Sequence, residues 1–331
     1  MASVAQGAEL ALTYLTAALP SGLPLPWQPW RTAIALDLDT FLTAIYTVVD
    51  DLYRERLAAV MADRPGPAPS LSDSEVLALA ICAEWGPWDS ERGFWRFARE
   101  HLRHLFPRLV DQSEFNRRRR ALYPALAAIQ RAVAERLGAD LERERLLDTQ
   151  PVALMVLKRH DERGLAFDGK AAVGWCQTKR QWYYGFKLVL SLTLDGIIAC
   201  YDLVPANVDD REAAAEVLEP GCRYWADKGF FGEQCQREWA QSDGALVRAE
   251  PPRSTLAAWP RAFAYLAHRL RQLIEVVNAQ LQGQFQIERS LAKTVWGLVT
   301  RVQAKLTAHT LGVYLNVLWG RPSLALKTLV V

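Results

Sequence analysis

One stretch, YYGFKLVLSLTLDGIIACYDLV (183–204), constrains the fold more than any other part of the sequence. Two apolar runs flank Asp195-Gly196, and Asp-Gly between such runs is the strongest short-range signal for a β-hairpin. The stretch therefore predicts antiparallel strands over 183–193 and 197–204. The chain has 331 residues, which suffice for one large domain or two moderate ones, so this hairpin belongs to a larger sheet.

The second half of the chain alternates between strand and helix patterns. Besides the hairpin, short apolar runs predict strands over 146–149, 223–226 and 245–248. Helical periodicity predicts helices over 209–218, 232–240, 259–281 and 294–318, and a charged helix over 140–145. The sequence therefore predicts an α+β or mixed α/β fold, in which helices flank a mixed five-stranded sheet.

The region before this sheet is predicted to be helical. Apolar residues recur at three- and four-residue steps from Phe41 to Leu52, and a Pro/Gly-rich break follows at 64–69. Ser72 and Glu75 form a capping box that opens the next helix. Two further helices are predicted, over 89–105 and from residue 113 onward.

Composition divides the chain into four segments. Residues 1–36 contain four prolines between positions 19 and 30 and are predicted to form an arm or linker. Residues 37–140 form the helical region, residues 141–320 the sheet domain, and residues 321–331 a C-terminal tail.

Arginines crowd between Arg92 and Arg145, although the net charge of the whole chain is only +2. The helix that begins near residue 113 contains an uninterrupted run of four, Arg117, Arg118, Arg119 and Arg120. Short helices with a basic last helix are typical of a helix-turn-helix-like unit that contacts DNA phosphates. A plain helical bundle with a solvated basic face is the alternative.

Other features of the sequence bear on where in the cell the protein is located. The five cysteines form no CxxC pair, and an odd count without a framework is typical of a reduced, cytoplasmic protein. The N-terminus lacks the basic head of a signal peptide, and no apolar run reaches the ~18 residues of a membrane span. We therefore expect a cytoplasmic protein without a membrane-spanning segment.

Three acidic residues lie at positions where they could take part in catalysis. Asp148 closes the first predicted strand, Asp227 closes the fourth, and Glu275 lies in the long helix over 259–281. Phosphodiester cleavage by the two-metal route needs hard oxygen ligands that hold two Mg²⁺ ions. Each acid also has an ordinary alternative: a turn or cap for either aspartate, a surface position for the glutamate.

Residues 158–163 are predicted to form an exposed loop before 167–175, and an aromatic and basic stretch follows. It comprises Trp175, Lys179, Arg180, Trp182, Tyr183 and Tyr184. Alternating aromatic and cationic side chains suit stacking on unpaired bases beside phosphate contacts. They suit an ordinary sheet edge equally well, so the sequence leaves both interpretations open.

Taken together, these motifs resemble bacterial insertion-sequence transposases of the DDE class, in the group with a helical N-terminal region before a ribonuclease H-like core. The resemblance covers most of residues 38–320. It rests on FLTAIYTVVDDLY (41–53), LSDSEVLALAIC (71–82), DQSEFNRRRRAL (111–122), LLDTQP (146–151), GFKL, DG and PANVDD within 185–210, ADKGFFG (226–232) and RLRQLIEVVNAQL (269–281).

The resemblance implies that Asp148, Asp227 and Glu275 are the catalytic acids and bind two Mg²⁺ ions, for which Mn²⁺ can substitute. It implies cleavage at transposon ends followed by strand transfer into target DNA. The partners would be double-stranded DNA, as terminal inverted repeats and target, and a second copy of the chain in a homodimer. A domesticated or inactive transposase that only binds DNA is the alternative, and a host nuclease of the same fold is a weaker one.

Arg271 corresponds to the arginine of the family's Y-x2-R-x3-E-x6-K signature. The sequence departs from that signature at His268, where the family has tyrosine, and at Gln282, where it has lysine. Lys187, Lys228 and Arg271 are further candidate DNA contacts. For Lys187, an exposed lysine on an edge strand is the alternative.

Overall fold

The computed structural model describes residues 35–61, 69–88, 90–156, 167, 169–177, 179–242, 244–251 and 261–330. These residues form two compact units, one up to residue 133 together with 303–330, and one from 134 to 302. The predicted segment limits at 36, 140 and 320 stay a prediction. The arm before residue 35, most of the break at 64–69 and the loop at 158–163 lie outside the described residues.

The first unit is helical. Its helices are α1 (Leu38–Arg56), α2 (Ala58–Met61), α3 (Asp73–Cys82), α4 (Glu91–His101), α5 (Gln112–Ala121) and α6 (Tyr123–Arg136). The predicted capping box is confirmed, because Ser72 Oγ accepts from the Glu75 amide (3.1 Å) and the Glu75 carboxylate accepts from the Ser72 amide (2.5 Å). The sequence therefore predicts the start of α3 correctly.

Internal ion pairs hold the helices of the first unit together. Arg119 is only 3% exposed, and its guanidinium donates to Glu84 (2.9 Å) and to Glu91 (3.0 Å). Lys305 donates to the second oxygen of Glu84 (2.7 Å). Buried charges of this kind persist only where they are paired, so this network fixes α4 and α5 to the segment after α3.

The second unit is built on a six-stranded mixed sheet. Its strands are β1 (Glu144–Val156), β2 (Ala172–Cys176), β3 (Gln181–Thr193), β4 (Ile198–Pro205), β5 (Arg223–Ala226) and β6 (Leu246–Ala249). The order is β2-β3-β1-β5-β6, and β4 also pairs with β3. β3 is antiparallel to β1, β2 and β4, while β5 is parallel to β1 and to β6.

The predicted hairpin is confirmed as β3 and β4. Gly196 has φ of 79°, and the Thr193 amide donates to the Ile197 carbonyl (2.9 Å) across the turn. Farther along β3, a Cβ on Gly185 would lie 2.3 Å from the Val152 carbonyl oxygen. Glycine is therefore required where β3 and β1 approach most closely.

Four helices complete the second unit or extend from it. They are α7 (Asp210–Ala214), α8 (Glu233–Ser242), α9 (Arg261–Gly283) and α10 (Val295–Leu318), and a 3-10 turn spans Lys228–Phe230. An apolar core surrounds Leu147, Val189, Tyr224 and Trp239. The predicted fold class is confirmed: a ribonuclease H-like mixed α/β fold that follows a mostly helical N-terminal region.

Three sequence-based expectations need correction. The sheet has six strands rather than five, because residues 172–176 form β2, an additional strand that the sequence patterns do not predict. The charged segment at 140–145 is not a helix, since β1 begins at Glu144, whose carboxylate accepts from Arg223 (2.5 Å) on β5. α7 ends at Ala214 rather than 218, as turns lead into Pro220 and Gly221. None of the described helices is long and apolar enough to cross a membrane.

Candidate active site

Two aspartates lie next to each other on neighbouring parallel strands. β1 and β5 pair in register up to Leu147 and Ala226, and each of these residues is followed directly by an aspartate, Asp148 or Asp227. Asp227 ends β5 as predicted. Asp148 does not end its strand, because β1 continues against β3 as far as Val156. Pairing on the β5 side stops at Leu147, so Asp148 lies beside the point where β5 leaves the sheet.

Asp227 is held by the turn that it opens. Its Oδ1 accepts from the Gly229 amide (2.7 Å) at the start of the 3-10 turn, and its Oδ2 lies 3.4 Å from Arg271 on α9. A Cβ on Gly229 would lie 3.0 Å from Asp227 Oδ1 and 2.9 Å from Asp210 Oδ2. Gly229 therefore leaves room for two carboxylates to face the same point.

Asp148 is half-buried, and its electrostatic environment is unusual. Burial raises the pKa of Asp148 to about 7, and the nearby charges of Asp227 and Asp210 add to the effect. The side chain of Asn278 on α9 opposes the shift by donating to Asp148 Oδ2 (2.6 Å). A carboxylate whose charge is this costly at neutral pH is typical of a functional site.

Asp210 is a further acid that lines the same cavity as Asp148 and Asp227, and no sequence pattern singles it out as a site residue. Its Oδ1 accepts from Lys187 Nζ (2.6 Å) and from Thr149 Oγ1 (3.1 Å), and Lys187 also donates to the Val208 carbonyl (2.8 Å). The N-cap of α7 is the preceding residue, Asp209, whose carboxylate accepts from the Arg211 amide. Lys187 is therefore engaged inside the site, with its side chain only 17% exposed.

One face of α9 borders the cavity that contains these acids. The cavity has a volume of about 630 Å³, and Asp148, Asp227, Asp210 and Lys187 line it. From α9 it receives His268, Arg271, Glu275, Asn278 and Gln282, which recur at three- and four-residue steps on one helix face. The structure thus brings all three predicted catalytic acids to one cavity.

The third acid, Glu275, is exposed on the cavity wall. Arg271 does not pair with it along the helix but lies 3.4 Å from Glu250 as well as from Asp227. Among the described residues, no three or more Asp, Glu, His or Cys side chains already surround one point at which they could hold a metal ion. Asn278 could have been found from sequence, because it lies three residues after Glu275 and seven after Arg271.

The other predicted DNA contacts lie in different environments. Arg117 and Arg120 are exposed on α5, whereas Arg118 donates to Asp73 (2.7 Å) and to the Leu71 carbonyl (2.6 Å). The burial of Arg119 gives its guanidinium no surface from which to reach a phosphate. Lys228 is exposed directly after Asp227. Two of the four arginines therefore make contacts within the helical unit, and the other two lie on its surface.

Comparison with known proteins gives one finding. Residues 157–311 match the family model of the transposase DDE domain. The matched range includes Asp227, Glu275 and Arg271 and begins after Asp148. No curated protein and no solved structure matches the chain.

The sheet is ribonuclease H-like, and on two of its adjacent parallel strands the last paired residues are each followed by an aspartate that lines one cavity. The family match covers residues 157–311 and confirms the resemblance to the DDE transposases. This match supports a transposase function, which implies DNA as the partner.

Proposed function

We propose that this protein is the transposase of an insertion sequence, which cuts at the transposon ends and joins the freed 3′ ends to target DNA. The observation that supports this proposal most directly is that Asp148 and Asp227 follow the register partners Leu147 and Ala226 and line one cavity, which Glu275 also lines. In the first step, a water oxygen attacks phosphorus and the bond to the leaving 3′ oxygen breaks. In the second, the 3′-OH attacks a target phosphate and displaces a target 3′ oxygen.

The donor set of the cavity fits divalent cations. Asp148, Asp227 and Glu275 would supply the carboxylate oxygens that Mg²⁺ prefers, and burial together with the neighbouring Asp227 and Asp210 raises the pKa of Asp148, which a bound cation would lower. Two Mg²⁺ ions, or Mn²⁺ in their place, would supply Lewis-acid activation of the attacking oxygen and stabilisation of the leaving one. Glu275 completes this set only if its exposed side chain turns toward the aspartates.

Before metal and DNA bind, polar side chains of α9 contact the two aspartates. Asn278 donates to Asp148, and the Arg271 guanidinium neutralises part of the charge of Asp227 and Glu250. When a DNA phosphate enters, Arg271 is the cation at the cavity wall that can pair with it. We therefore assign Arg271 and the exposed Lys228 to the DNA backbone near the cut.

The helical region supplies a separate DNA contact in this proposal. The exposed Arg117 and Arg120 on α5 can reach phosphates, while Arg118 and Arg119 keep the helices in place. Phosphate contacts fix position and orientation on the duplex without reading sequence. Joining two transposon ends in one reaction calls for two copies of the chain, so we propose a homodimer in the synaptic complex.

A nicking assay tests the proposal. A plasmid with the genomic DNA that flanks both sides of the gene is incubated with the full-length protein and Mg²⁺ or Mn²⁺. We expect nicks at the boundary of inverted repeats, with 3′-OH ends, and none with EDTA. Binding of the ends without any nicking under either metal would favour the inactive DNA-binding alternative, and nicking without preference for the ends would favour a host nuclease.

The contacts of Asp210 lead to a prediction about cation affinity. In Asp210→Asn, Lys187 loses its charged partner, and we expect its ammonium to compete with a cation in the cavity that Asp148 and Asp227 also line. Loss of a supporting carboxylate of this kind typically costs 10- to 100-fold in metal affinity. We expect the Mg²⁺ concentration that gives half-maximal thermal stabilisation of the DNA-free protein to rise by about that factor.

The double variant Asp210→Asn/Lys187→Met serves as the control for this prediction, because it removes the competing ammonium together with its partner. We expect it to need less Mg²⁺ than Asp210→Asn alone. Equal Mg²⁺ requirements in the single and double variants would show that Asp210 acts in some other way than by holding Lys187.

A further inference from the structure

Two exposed tryptophans contact each other, and one of them lines the active-site cavity. Trp175 on β2 and Trp182 on β3 are register partners, with ring centroids 5.2 Å apart and ring planes at 63°. They are 45% and 55% exposed. The next residues along the same strands, Cys176 and Tyr183, are buried together with Ala206. The hairpin therefore buries Cys176 and Tyr183 and leaves the two tryptophans exposed.

Single exposed apolar residues are common on protein surfaces. Two large aromatic rings exposed side by side form an apolar patch, and such patches mark interaction sites. A cross-strand aromatic pair also stabilises a hairpin, by roughly 0.2–1 kcal/mol. That role alone does not account for the position of the pair, because Trp175 lines the same cavity as Asp148 and Asp227. Its indole nitrogen donates to Gln177 (2.8 Å), another cavity residue, which fixes the ring.

The hairpin turn beside the rings is cationic. Lys179 and Arg180 are both exposed between the two strands, and Lys179 pairs with Glu288. Arg180 has a φ of 50°, the left-handed conformation that non-glycine residues seldom adopt, and β3 begins at the next residue. Aromatic faces next to cations are the combination by which proteins hold unpaired nucleotides.

We propose that Trp175 and Trp182 form a stacking subsite for one unpaired nucleobase of the DNA strand that is cut. This inference rests on the proposed function, because it takes the phosphate at the aspartates to belong to DNA. Within a duplex the faces of a base are covered by its neighbours, so only a base that has left the stack offers a face to an indole ring. The subsite tolerates any base, since every base has a π-face.

Binding to DNA with one unpaired base tests this subsite without catalysis. Duplexes contain 2-aminopurine at the cleavage boundary, either paired or in a single-nucleotide bulge, and binding is measured in EDTA. Stacking on an aromatic side chain contributes about 1–3 kcal/mol per base, which corresponds to about 5- to 150-fold in affinity. We expect Trp175→Ala and Trp182→Ala to lose affinity for the bulged duplex by such a factor and to bind the paired duplex like the wild type.

Two further variants sharpen the experiment. Trp175→Phe keeps an aromatic face and should retain most of the affinity for the bulged duplex. Trp296→Ala is a matched control, because Trp296 is 50% exposed but lies on α10 and does not line the cavity. If an alanine variant fails to fold, quenching of 2-aminopurine fluorescence on binding to the wild-type protein still reports stacking, and unchanged fluorescence would overturn the proposal.

The outcomes separate this inference from the proposed function. Alanine variants that bind the bulged duplex within twofold of wild type overturn the stacking subsite, even if the enzyme cuts DNA normally. A change from dimer to monomer with unchanged DNA binding would overturn it in favour of a protein interface. A wild-type protein that never cuts DNA but prefers the bulged duplex through these tryptophans would support the subsite and overturn the transposase mechanism.

Discussion

Asparagine in place of Asp227 is expected to lower the rate of DNA-end cleavage by at least about 10³-fold, because the loss of a carboxylate ligand forfeits several kcal/mol of transition-state stabilisation. The substitution preserves the shape of the side chain. The asparagine oxygen can still accept from the Gly229 amide and begin the 3-10 turn, as Asp227 does at 2.7 Å. We therefore expect the variant to fold normally and to bind transposon ends with unchanged affinity.

The measurement is a single-turnover nicking assay with Mg²⁺ and again with Mn²⁺, alongside a binding assay in EDTA. Asp202→Asn is the matched control, because Asp202 is a partly buried aspartate on β4 that does not line the cavity. This control should cleave like the wild type. An Asp227→Asn protein with a tenth or more of the wild-type rate would show that Asp227 is not a ligand of the reacting centre.

The sequence predicts most of the sheet, because its signals are local. Asp195-Gly196 fixes the β3–β4 hairpin through turn chemistry, and the predicted strand at 223–226 matches β5 residue for residue. β2 was missed because its five residues include Gly174, which offers no side-chain pattern. The structure explains that glycine: a Cβ there would lie 2.5 Å from the Ala206 carbonyl oxygen.

The candidate site was predictable only in part, since its contacts join residues far apart in sequence. Asp148 and Asp227 were visible as the ends of apolar runs, although only Asp227 ends its strand. The partners that set their properties were not: Asn278 reaches Asp148 from α9, and Asp210 reaches Lys187 and Thr149 from α7. The run of four arginines shows a different limit of sequence-based prediction. The four residues are identical, but their positions around the helix decide which of them form internal ion pairs and which are exposed to solvent.

Replacement of Asp148 by asparagine is expected to make the metal-free protein more stable at pH 8, although we also expect it to abolish cleavage. The pKa of Asp148 is raised to about 7 from an ordinary value near 3.8. Between these two values the folded protein binds a proton that the unfolded chain has released. The free energy of unfolding therefore falls as pH rises from about 4 to about 7, and the loss is complete above pH 7.

The size of this effect follows from the shift. Three pKa units correspond to about 4 kcal/mol, and we expect roughly 1–3 kcal/mol, because the half-buried carboxylate opens onto a cavity that water can enter. Asp148→Asn abolishes this cost at pH 8 and still accepts or donates hydrogen bonds beside Asn278. Divalent cations should stabilise the wild-type protein at pH 8 and should stabilise the variant far less.

Urea unfolding at several pH values between 4.5 and 8, in EDTA and then with Mg²⁺, measures this prediction. Wild type and Asp148→Asn share every other titrating group, including the buried His309, whose pKa burial lowers to about 4. The difference between their unfolding free energies therefore isolates Asp148 and should grow as pH rises from 4.5 to 7. A variant that is less stable than wild type at pH 8 without metal would contradict the raised pKa. A stabilised but inactive variant would mean that the fold keeps a costly charge at this position because the reaction requires it.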